Sequence, residues 1–428
     1  MNRTITIAEY DRIYVNEVFQ GIKITQKDIL ELKVFIDESN GETSNISEYL
    51  RPIRNGVQAN NYVGVLQTKS GLTIEILPKI SRTHQNQEQV KKLFIRMLRT
   101  VKHINGKSFD MSHLSEHKNN VLEIFISMFI DEVDKILKRG LKSDYIPVRS
   151  NEIFLKGKLL LQQQIQHNSV NKAKFYTEFD EFKVDGAENQ IIKTTLTYLL
   201  SLSHEAKNQR LIREQLLYFE NVNLTYNPPI TFQRIAIKRQ FSYYERAIKW
   251  AEIFLKRKSF TSFKGSSLAF ALLFPMETIF EAYIADKMKR AFPNFKVSTQ
   301  EQQYFLFDGY DGSKSNYRLR PDIIIRSNQG GGNVVIVDTK WKLLKADGPS
   351  QSDLYQMYAY FTRYRHHSEA VVKVILLYPK SDYYGERVFK SFNFSDNQSD
   401  LEAKIEVKYI DLFSDNIENQ LQNIVADF

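Results

Sequence analysis

The chain has 428 residues, no cysteine, 42% hydrophobic residues and a formal net charge of +9. This composition can form cores and excludes a mostly disordered chain, while the missing cysteines exclude disulfides, thiolate metal sites and cysteine nucleophiles. No apolar run reaches the roughly 18 residues of a transmembrane helix, so we expect no membrane partner. The length predicts about two to four domains. The missing cysteines favour the reducing cytoplasm as the compartment.

Residues 1–85 are predicted to form a β-rich module. Alternating apolar and polar residues indicate short strands at Thr4–Ile7, Arg12–Val15, Val34–Ile36, Tyr62–Gln67 and Leu72–Leu77. The turn residues Lys69-Ser70-Gly71 are expected to join the last two strands into a hairpin. Residues 1–134 carry 17 basic and 17 acidic residues, so this part of the chain is neutral overall.

Residues 86–260 are predicted to form a basic region of helices with some strands. Apolar spacings of three and four predict helices at about 86–101, 118–139 with Gly140 as C-cap, 186–203, 206–219 and 243–258, with a break at Pro228-Pro229. Strands are predicted at Tyr145–Arg149 and Ile153–Leu155. Residues 135–270 carry 23 basic and 12 acidic residues, an excess that indicates a polyanion partner such as DNA. A solubilising surface is the alternative explanation.

Residues 261–428 are predicted to form a separate α/β domain that follows a polar connector. The expected elements are a helix over about Ser267–Phe292, strands at Lys296–Ser298, Gln303–Phe307, Tyr317–Arg326 and Val334–Thr339, a helix at Ser352–Tyr364 and a strand at Val371–Tyr378. This order predicts a small mixed sheet flanked by helices. The whole chain is therefore predicted to be an α+β multidomain protein.

Two acidic residues and a lysine flank a predicted pair of strands in this last region. Asp322 precedes the apolar run Ile323–Ile325, and Asp338 follows the apolar run Val334–Val337 after a glycine-rich turn. A hairpin of this length can bring both carboxylates together, with Lys340 on the same strand face as Asp338. Such oxygen ligands suit Mg²⁺, and a lysine of depressed pKa beside the metal can position and help deprotonate a water. Asp-x-Lys also occurs by chance, but a buried strand with a charged end indicates an active-site edge.

This arrangement resembles the PD-(D/E)xK nuclease superfamily, whose motif would read Pro321-Asp322 and Asp338-Thr339-Lys340. The resemblance implies that Asp322 and Asp338 bind the metal together with the backbone carbonyl of Thr339. It also implies that Lys340 positions and activates the attacking water.

The superfamily usually adds an acid on a preceding helix and often a glutamine on a following one. Glu281, in Phe280-Glu281-Ala-Tyr283, matches the acid, and Glu277 lies one turn earlier on the same face. Gln356 matches the glutamine and is expected to support Lys340. Solvent-facing helix residues are the alternative for both glutamates, and the tyrosines near Gln356 also serve a core.

Several segments together resemble the McrC family, the nuclease subunits of McrBC modification-dependent restriction systems. In chain order they are Tyr62–Leu66, Leu72–Ile80, Leu273–Met276, Phe280–Tyr283, Arg320–Asp322, Asp338–Lys342, Tyr355–Tyr360 and Leu376–Pro379. The most specific matches lie in the last third of the chain. Glu277 departs from the family pattern, which has a polar uncharged residue there.

The McrC resemblance implies a DNA endonuclease that uses Mg²⁺, or Mn²⁺, and acts with a AAA+ GTPase hexamer of the McrB type. The N-terminal region would enter the motor's channel and stimulate GTP hydrolysis, and the motor would recognise methylated double-stranded DNA. Arg51 and Arg54, on a predicted loop tip, are candidates to approach the nucleotide sites. Since the chain has no Walker A sequence, we expect it to bind no nucleotide itself. A motor-independent nuclease and a cleavage-inactive DNA-binding, GTPase-activating adaptor are the alternatives.

Overall fold

The computed structural model describes residues 3–39, 49–80, 87–101, 120–170, 172–260, 268–307, 317–327, 333–342, 344, 348–366, 370–380, 387–391 and 403–425. The chain forms two compact units. The first comprises residues 1–105, 267–269 and 273–428, and the second comprises residues 106–266 and 270–272. This division differs from the three predicted regions, because the first and last parts of the chain share one unit.

The first unit begins with short strands and helices. They are β1 (Arg3–Ala8), β2 (Arg12–Tyr14), β3 (Val18–Phe19), β4 (Ile22–Lys23), α1 (Gln26–Ser39), β5 (Leu50–Ile53), β6 (Gly56–Ala59), β7 (Tyr62–Thr68), β8 (Leu72–Leu77) and α2 (Gln87–Leu98). Strands β7 and β8 pair antiparallel, as the hairpin prediction required, while β1 pairs parallel to β8. A strand from the last part of the chain, at Leu268–Pro275, completes the order β1-β8-β7 on the β7 side.

The predicted strand at Val34–Ile36 is wrong, since helix α1 covers these residues. Ile29, Leu32 and Ile36 are buried at spacings of three and four, which is the period of a helix face. The β-branched and aromatic residues in Val34-Phe-Ile36 favour a strand locally, but burial of the longer helical face decides the structure. The hairpin of β5 and β6, which turns at Arg54-Asn55, is a further pair of strands that was not predicted.

The second unit contains helices and one small antiparallel sheet. Its elements are α3 (Val121–Arg139), β9 (Asp144–Glu152), β10 (Lys158–Leu159), α4 (Leu161–Asn168), β11 (Phe175–Lys183), α5 (Ala187–Leu202), α6 (Ala206–Leu217), α7 (Pro228–Gln233), a 3₁₀ helix (Arg239–Tyr244) and α8 (Glu245–Phe260). Helix α3 ends as predicted at Gly140, whose N–H donates to the carbonyl of Leu137 at 3.2 Å. The strand order is β10-β11-β9.

Two predictions for this unit need correction. Ile153–Leu155 is an exposed bend after β9 rather than a strand, because no strand of the sheet pairs with it in the described ranges. Pro228-Pro229 opens helix α7 instead of only breaking the chain, since proline fits the first helical positions, where backbone N–H groups lack intrahelical partners. The core of the unit includes the aromatic contacts of Trp250 with Phe125 and Phe254, at ring distances of 6.0 and 5.7 Å.

The last part of the chain contributes β12 (Leu268–Pro275) and a mixed sheet with its helices. These elements are α9 (Met276–Ala291), β13 (Lys296–Thr299), β14 (Ile323–Arg326), β15 (Asn333–Thr339), α10 (Gln351–His366), β16 (Ala370–Pro379), β17 (Arg387–Ser391), β18 (Ala403–Ile410) and α11 (Ile417–Val425). The strand order is β13-β14-β15-β16-β18-β17, with β15, β16 and β18 mutually parallel and the other pairs antiparallel. The prediction of a mixed sheet flanked by helices is confirmed.

Parts of the predicted element boundaries in this region are wrong. The helix expected over Ser267–Phe292 is a strand up to Pro275 and a helix only from Met276, because Leu268–Pro275 is apolar throughout and pairs with β7. Gln303–Phe307 forms a single bridge, from Phe305 to Arg318, instead of a strand. The glycine-rich turn at 330–332 lies outside the described residues. No helix within the described ranges has the length and apolar character needed to cross a membrane.

Candidate active site

The register of the mixed sheet brings Asp322 and Asp338 to the same end of neighbouring strands. Ile323 of β14 pairs with Val337 of β15. Asp322, one residue before Ile323, therefore lies opposite Asp338, one residue after Val337. Strand β15 is buried, and its neighbour β16 pairs parallel to it through Thr339. The two acids therefore lie at the end of the strands, where the almost wholly apolar strand β15 leaves the sheet.

Asp322 is fixed by hydrogen bonds from β15. The backbone N–H and the hydroxyl of Thr339 both donate to Asp322 Oδ2, at 2.8 and 2.9 Å. The side-chain amide of Gln300 donates to Oδ1 at 3.3 Å. These bonds lower the pKa of Asp322, but burial is the larger effect and its pKa lies above the usual value.

Asp338 forms an ion pair with Lys340, whose Nζ lies 2.6 Å from Asp338 Oδ2. Asp338 is only 2% exposed. Burial and the charge of Asp322 raise the pKa of Asp338 to about 7, and they outweigh the opposing charge of Lys340. Two carboxylates that share a dry site in this way favour a proton or a cation between them.

The sequence predicts a depressed lysine pKa beside a bound metal, whereas the neighbouring carboxylates of this structure raise the pKa of Lys340. Burial lowers the pKa of Lys340, but the charges of Asp338, Asp322 and Asp353 together raise it above the usual value. Lys340 is therefore an ammonium group that donates hydrogen bonds. Besides its ion pair, it donates to Gln356 Oε1 at 3.0 Å.

Gln356 connects Lys340 to the core of the sheet. Its amide nitrogen donates to the Tyr360 hydroxyl at 2.7 Å, one turn further along α10. Tyr360 is buried against the mixed sheet. The glutamine predicted to support the lysine thus contacts it directly and is itself held by a buried tyrosine.

Glu281 lies near Asp322 through a residue that sequence reasoning missed. Gln300, just after β13, donates its side-chain amide to Glu281 Oε1 as well as to Asp322. Its backbone N–H also donates to the carbonyl of Asp322 at 3.0 Å. Burial, followed by the charge of Asp322, raises the pKa of Glu281. Gln300 therefore ties the helix acid to the strand acid.

Gln300 adopts a backbone φ of 52°, the left-handed region in which a side chain is strained. That conformation costs about 1–2 kcal/mol for residues other than glycine. The hydrogen bonds of the Gln300 side-chain amide to Glu281 and Asp322 offset the cost of this backbone conformation. No local pattern in the sequence marks this residue, since its partners lie 19 and 22 positions away.

A cavity of about 310 Å³ collects the predicted residues. It is lined by Glu277, Thr278, Glu281, Asp322, Asp338, Thr339, Lys340, Trp341, Lys342 and Gln356. Every residue predicted for the site thus reaches one pocket of the first unit. Glu277, whose role the sequence left open, is exposed and lies on the same wall as Glu281.

The donor set fits a hard divalent cation. Within the described ranges, no group of three or more histidine, aspartate or glutamate side chains is arranged to hold a metal ion. Mg²⁺ commonly binds through one or two carboxylates and keeps several waters, so the pair Asp322 and Asp338 is sufficient for it. Burial raises the pKa of both acids, and the charge of Asp322 raises the pKa of Asp338 further; a bound cation would favour the charged form of each.

Replacement of Gln300 by leucine is expected to lower the activity of the site by about 10–100-fold, because residues that orient ligands contribute that much. The measurement is the rate of the reaction at saturating substrate, with thermal unfolding recorded in parallel. Gln303→Leu is the matched control, since Gln303 is exposed and, within the described residues, its side chain bonds to the neighbouring Tyr304 hydroxyl alone. Equal losses in both variants would contradict the role assigned to Gln300.

Comparisons with known proteins give a consistent set of matches. A profile described as McrBC 5-methylcytosine restriction system component matches residues 57–379. The Type IV methyl-directed restriction enzyme EcoKMcrBC of Escherichia coli (strain K12) is 23% identical over 288 residues, which are 62% of this chain and 78% of that protein.

Two solved assemblies show a similar fold. One is a half-complex from a tetradecameric assembly of Thermococcus gammatolerans McrB AAA+ hexamers with bound McrC. It has a TM-score of 0.67 and 21% identity, with 99% of this chain and 100% of that chain covered. The other is a cryo-EM structure of the Thermococcus gammatolerans McrBC complex. It has a TM-score of 0.51 and 23% identity, with 67% of this chain and 88% of that chain covered.

Proposed function

The chain belongs to the McrBC 5-methylcytosine restriction family, and on that premise we propose that it is the subunit that cuts DNA by metal-assisted hydrolysis. The observation that carries the proposal is the group of Asp322, Asp338 and Lys340 at one end of strands β14 and β15. Two buried acids with raised pKa beside a lysine are costly for stability, and such arrangements cluster at functional sites.

The order of elements around this group supports a PD-(D/E)xK core. Helix α9 carries Glu281, strands β13, β14 and β15 follow in antiparallel order, and helix α10 carries Gln356 before the parallel strand β16. Together with the sequence motif, this order supports assigning the last part of the chain to that nuclease superfamily.

In the proposed mechanism, Asp322 and Asp338 hold Mg²⁺ or Mn²⁺, with the carbonyl of Thr339 as a further oxygen ligand. The metal supplies Lewis-acid polarisation of the phosphate. The ammonium group of Lys340 positions the attacking water and stabilises the negative charge that develops on the phosphate oxygens. Gln356 fixes the direction of that ammonium group, and Glu281 would orient a water molecule in the cavity.

We propose a AAA+ GTPase hexamer of the McrB type as the partner, because the similar Thermococcus gammatolerans assembly contains McrB AAA+ hexamers with bound McrC. In this proposal, the N-terminal region contacts the motor and stimulates its GTPase, while methylated double-stranded DNA is the substrate. The excess of basic residues in 135–270 supports a DNA contact, whose affinity would fall steeply with salt.

The test is cleavage of methylated and unmethylated plasmid by the purified chain with Mg²⁺, with and without an McrB-type partner and GTP. We expect cleavage of methylated plasmid only in the complete mixture. Cleavage without the partner would favour a motor-independent nuclease. GTPase stimulation without any cleavage would favour the inactive adaptor and would contradict the proposed activity.

A further inference from the structure

A fully buried carboxylate from the start of the chain contacts the segment that carries Lys340. Glu9, which follows β1, is 0% exposed. Its Oε2 accepts hydrogen bonds from the indole N–H of Trp341 at 3.0 Å and from the backbone N–H of Lys79 at 2.9 Å. Within the described part of the chain, its Oε1 is buried without a hydrogen-bond partner.

Trp341 stands directly after Lys340 and lines the same cavity. Its ring packs against Phe280 at a centroid distance of 5.3 Å, and Phe280 is the neighbour of Glu281 on α9. The indole therefore touches the helix that carries one site residue and the strand end that carries another. The contact with Glu9 fixes the direction in which its N–H points.

The N-terminal sheet also contacts the start of α9. The backbone N–H of Met276 donates to the carbonyl of Asn61, next to β7, at 3.1 Å. Glu277 follows Met276, and its charge helps to raise the pKa of Glu9 to about 7, after the larger effect of burial. A buried acid of this kind is costly for stability, so packing alone does not account for a glutamate here.

We propose that Glu9 is a positioning residue for the nuclease site: by holding the indole of Trp341, it fixes the strand end that presents Lys340. The inference rests on the proposed function, since it concerns the rate of DNA cleavage. It assigns to the N-terminal sheet a part in catalysis that is separate from any contact with a motor protein.

The test uses the complete mixture of chain, McrB-type partner, GTP and Mg²⁺. Glu9→Leu removes both acceptor oxygens at similar size, and it is expected to lower the cleavage rate at saturating DNA by about 10–100-fold. The DNA concentration for half-maximal rate and the stimulation of GTP hydrolysis are expected to stay unchanged. Glu9→Gln keeps one acceptor oxygen and is expected to cleave within about threefold of wild type, as a conservative rescue.

Trp341→Phe removes the same contact from its other side, because phenylalanine lacks the N–H that binds Glu9 but keeps an aromatic ring against Phe280. If Glu9 acts through Trp341, Glu9→Leu combined with Trp341→Phe is expected to be no slower than the slower single variant. Additive losses in the double variant would overturn the proposal. All three rates are taken per folded complex, so that partial unfolding of a variant is not counted as a loss of catalysis.

Tryptophan fluorescence reports the contact without any need for cleavage. The chain has two tryptophans, so Trp250→Phe leaves Trp341 as the single emitter. In that background, Glu9→Leu is expected to shift emission to shorter wavelength and Glu9→Gln to leave it unchanged. An unchanged spectrum with Glu9→Leu would overturn the contact, whereas failure of wild type to cut would overturn the proposed function alone.

Asp28→Asn is the matched control for the loss of a buried acid in the same region. Asp28 is also 0% exposed, but its side chain bonds to Arg3, Thr25 and Ser70, and none of these bonds involves Trp341. This variant is expected to lose stability and to cleave at the wild-type rate per folded complex. An equal loss of cleavage in Asp28→Asn and Glu9→Leu would reduce Glu9 to a structural residue and overturn the proposal.

Discussion

Asp338→Asn is expected to lower DNA cleavage by the assembled complex at least about 10³-fold, while GTPase stimulation persists and the folded chain becomes more stable. The loss follows because the proposed metal site would keep only one of its two buried carboxylates, and metal-assisted charge stabilisation is worth several kcal/mol. The gain in stability follows because burial and the charge of Asp322 disfavour the charged form of Asp338 more than its ion pair with Lys340 favours it, and the neutral amide avoids that cost.

The gain in stability has a defined pH dependence. The pKa of Asp338 is raised in the folded state to about 7, so between its ordinary value near 4 and 7 the folded chain binds a proton more tightly than the unfolded chain. Wild-type stability from this group is therefore present at low pH and lost as pH rises through 7. The advantage of Asp338→Asn is expected to grow across this window to on the order of 2 kcal/mol.

Denaturant unfolding at pH 5, 6, 7 and 8, without divalent cations, measures this difference. Asp353→Asn is the matched control, because Asp353 is also buried and accepts hydrogen bonds from Lys342 at 3.2 and 3.3 Å. Its pKa is lowered, mainly by the hydrogen bond from Ser350 and the charge of Lys342 acting against burial, so its replacement is expected to destabilise the chain at neutral pH. If Asp338→Asn is less stable than wild type at pH 8, the ion pair with Lys340 stabilises the charged Asp338 by more than burial costs it.

Lys340→Met is expected to lower the cleavage rate by about 10²–10⁴-fold, because the site loses the group that positions water and stabilises developing charge. Unlike Asp338→Asn, this variant is also expected to be less stable at neutral pH. The reason is that Asp322 and Asp338 lose the cation that compensates them, and breaking one side of a buried pair leaves an uncompensated charge.

Lys287→Met is the matched control for this variant. The Lys287 side chain is 17% exposed and pairs with Glu418 at 2.7 Å, close to the 19% and 2.6 Å of Lys340 with Asp338. It lies on α9 outside the cavity, so its loss is expected to change stability and leave cleavage per folded complex within about threefold. The double variant of Asp338→Asn and Lys340→Met is expected to regain stability without activity; recovery of cleavage would contradict the roles proposed for both residues.

The residues of the site could be predicted where short stretches of sequence carry the information. Asp322 and Asp338 each border an apolar run, and strand pairing alone then places them together. Gln300 and Glu9 could not be found in this way, because each acts on partners in other elements. Glu9 lies 332 positions from Trp341, and no local period or turn residue reports such a contact.

The errors in the predicted helices and strands also arise from contacts between distant parts of the chain. Leu268–Pro275 looks like the beginning of a long apolar helix, and only its pairing with β7 makes it a strand. Val34–Ile36 looks like a strand, and only the burial of Ile29 and Leu32 on the same face makes it part of a helix. The β7–β8 hairpin and the longer helices were predictable from local patterns, whereas the β5–β6 hairpin and the pairing of β12 with β7 were not.

The place of β12 in the first sheet also sets an order for folding during synthesis. The ribosome completes β8 roughly 190 residues before it makes β12, and residues 106–266 of the second unit are made in between. Until then, the side of β7 that β12 later covers is an unpaired strand edge. Most of the second unit is therefore available to fold while the first sheet still waits for β12. The nuclease site is therefore assembled late, only after the sequences on both sides of the insertion have been made.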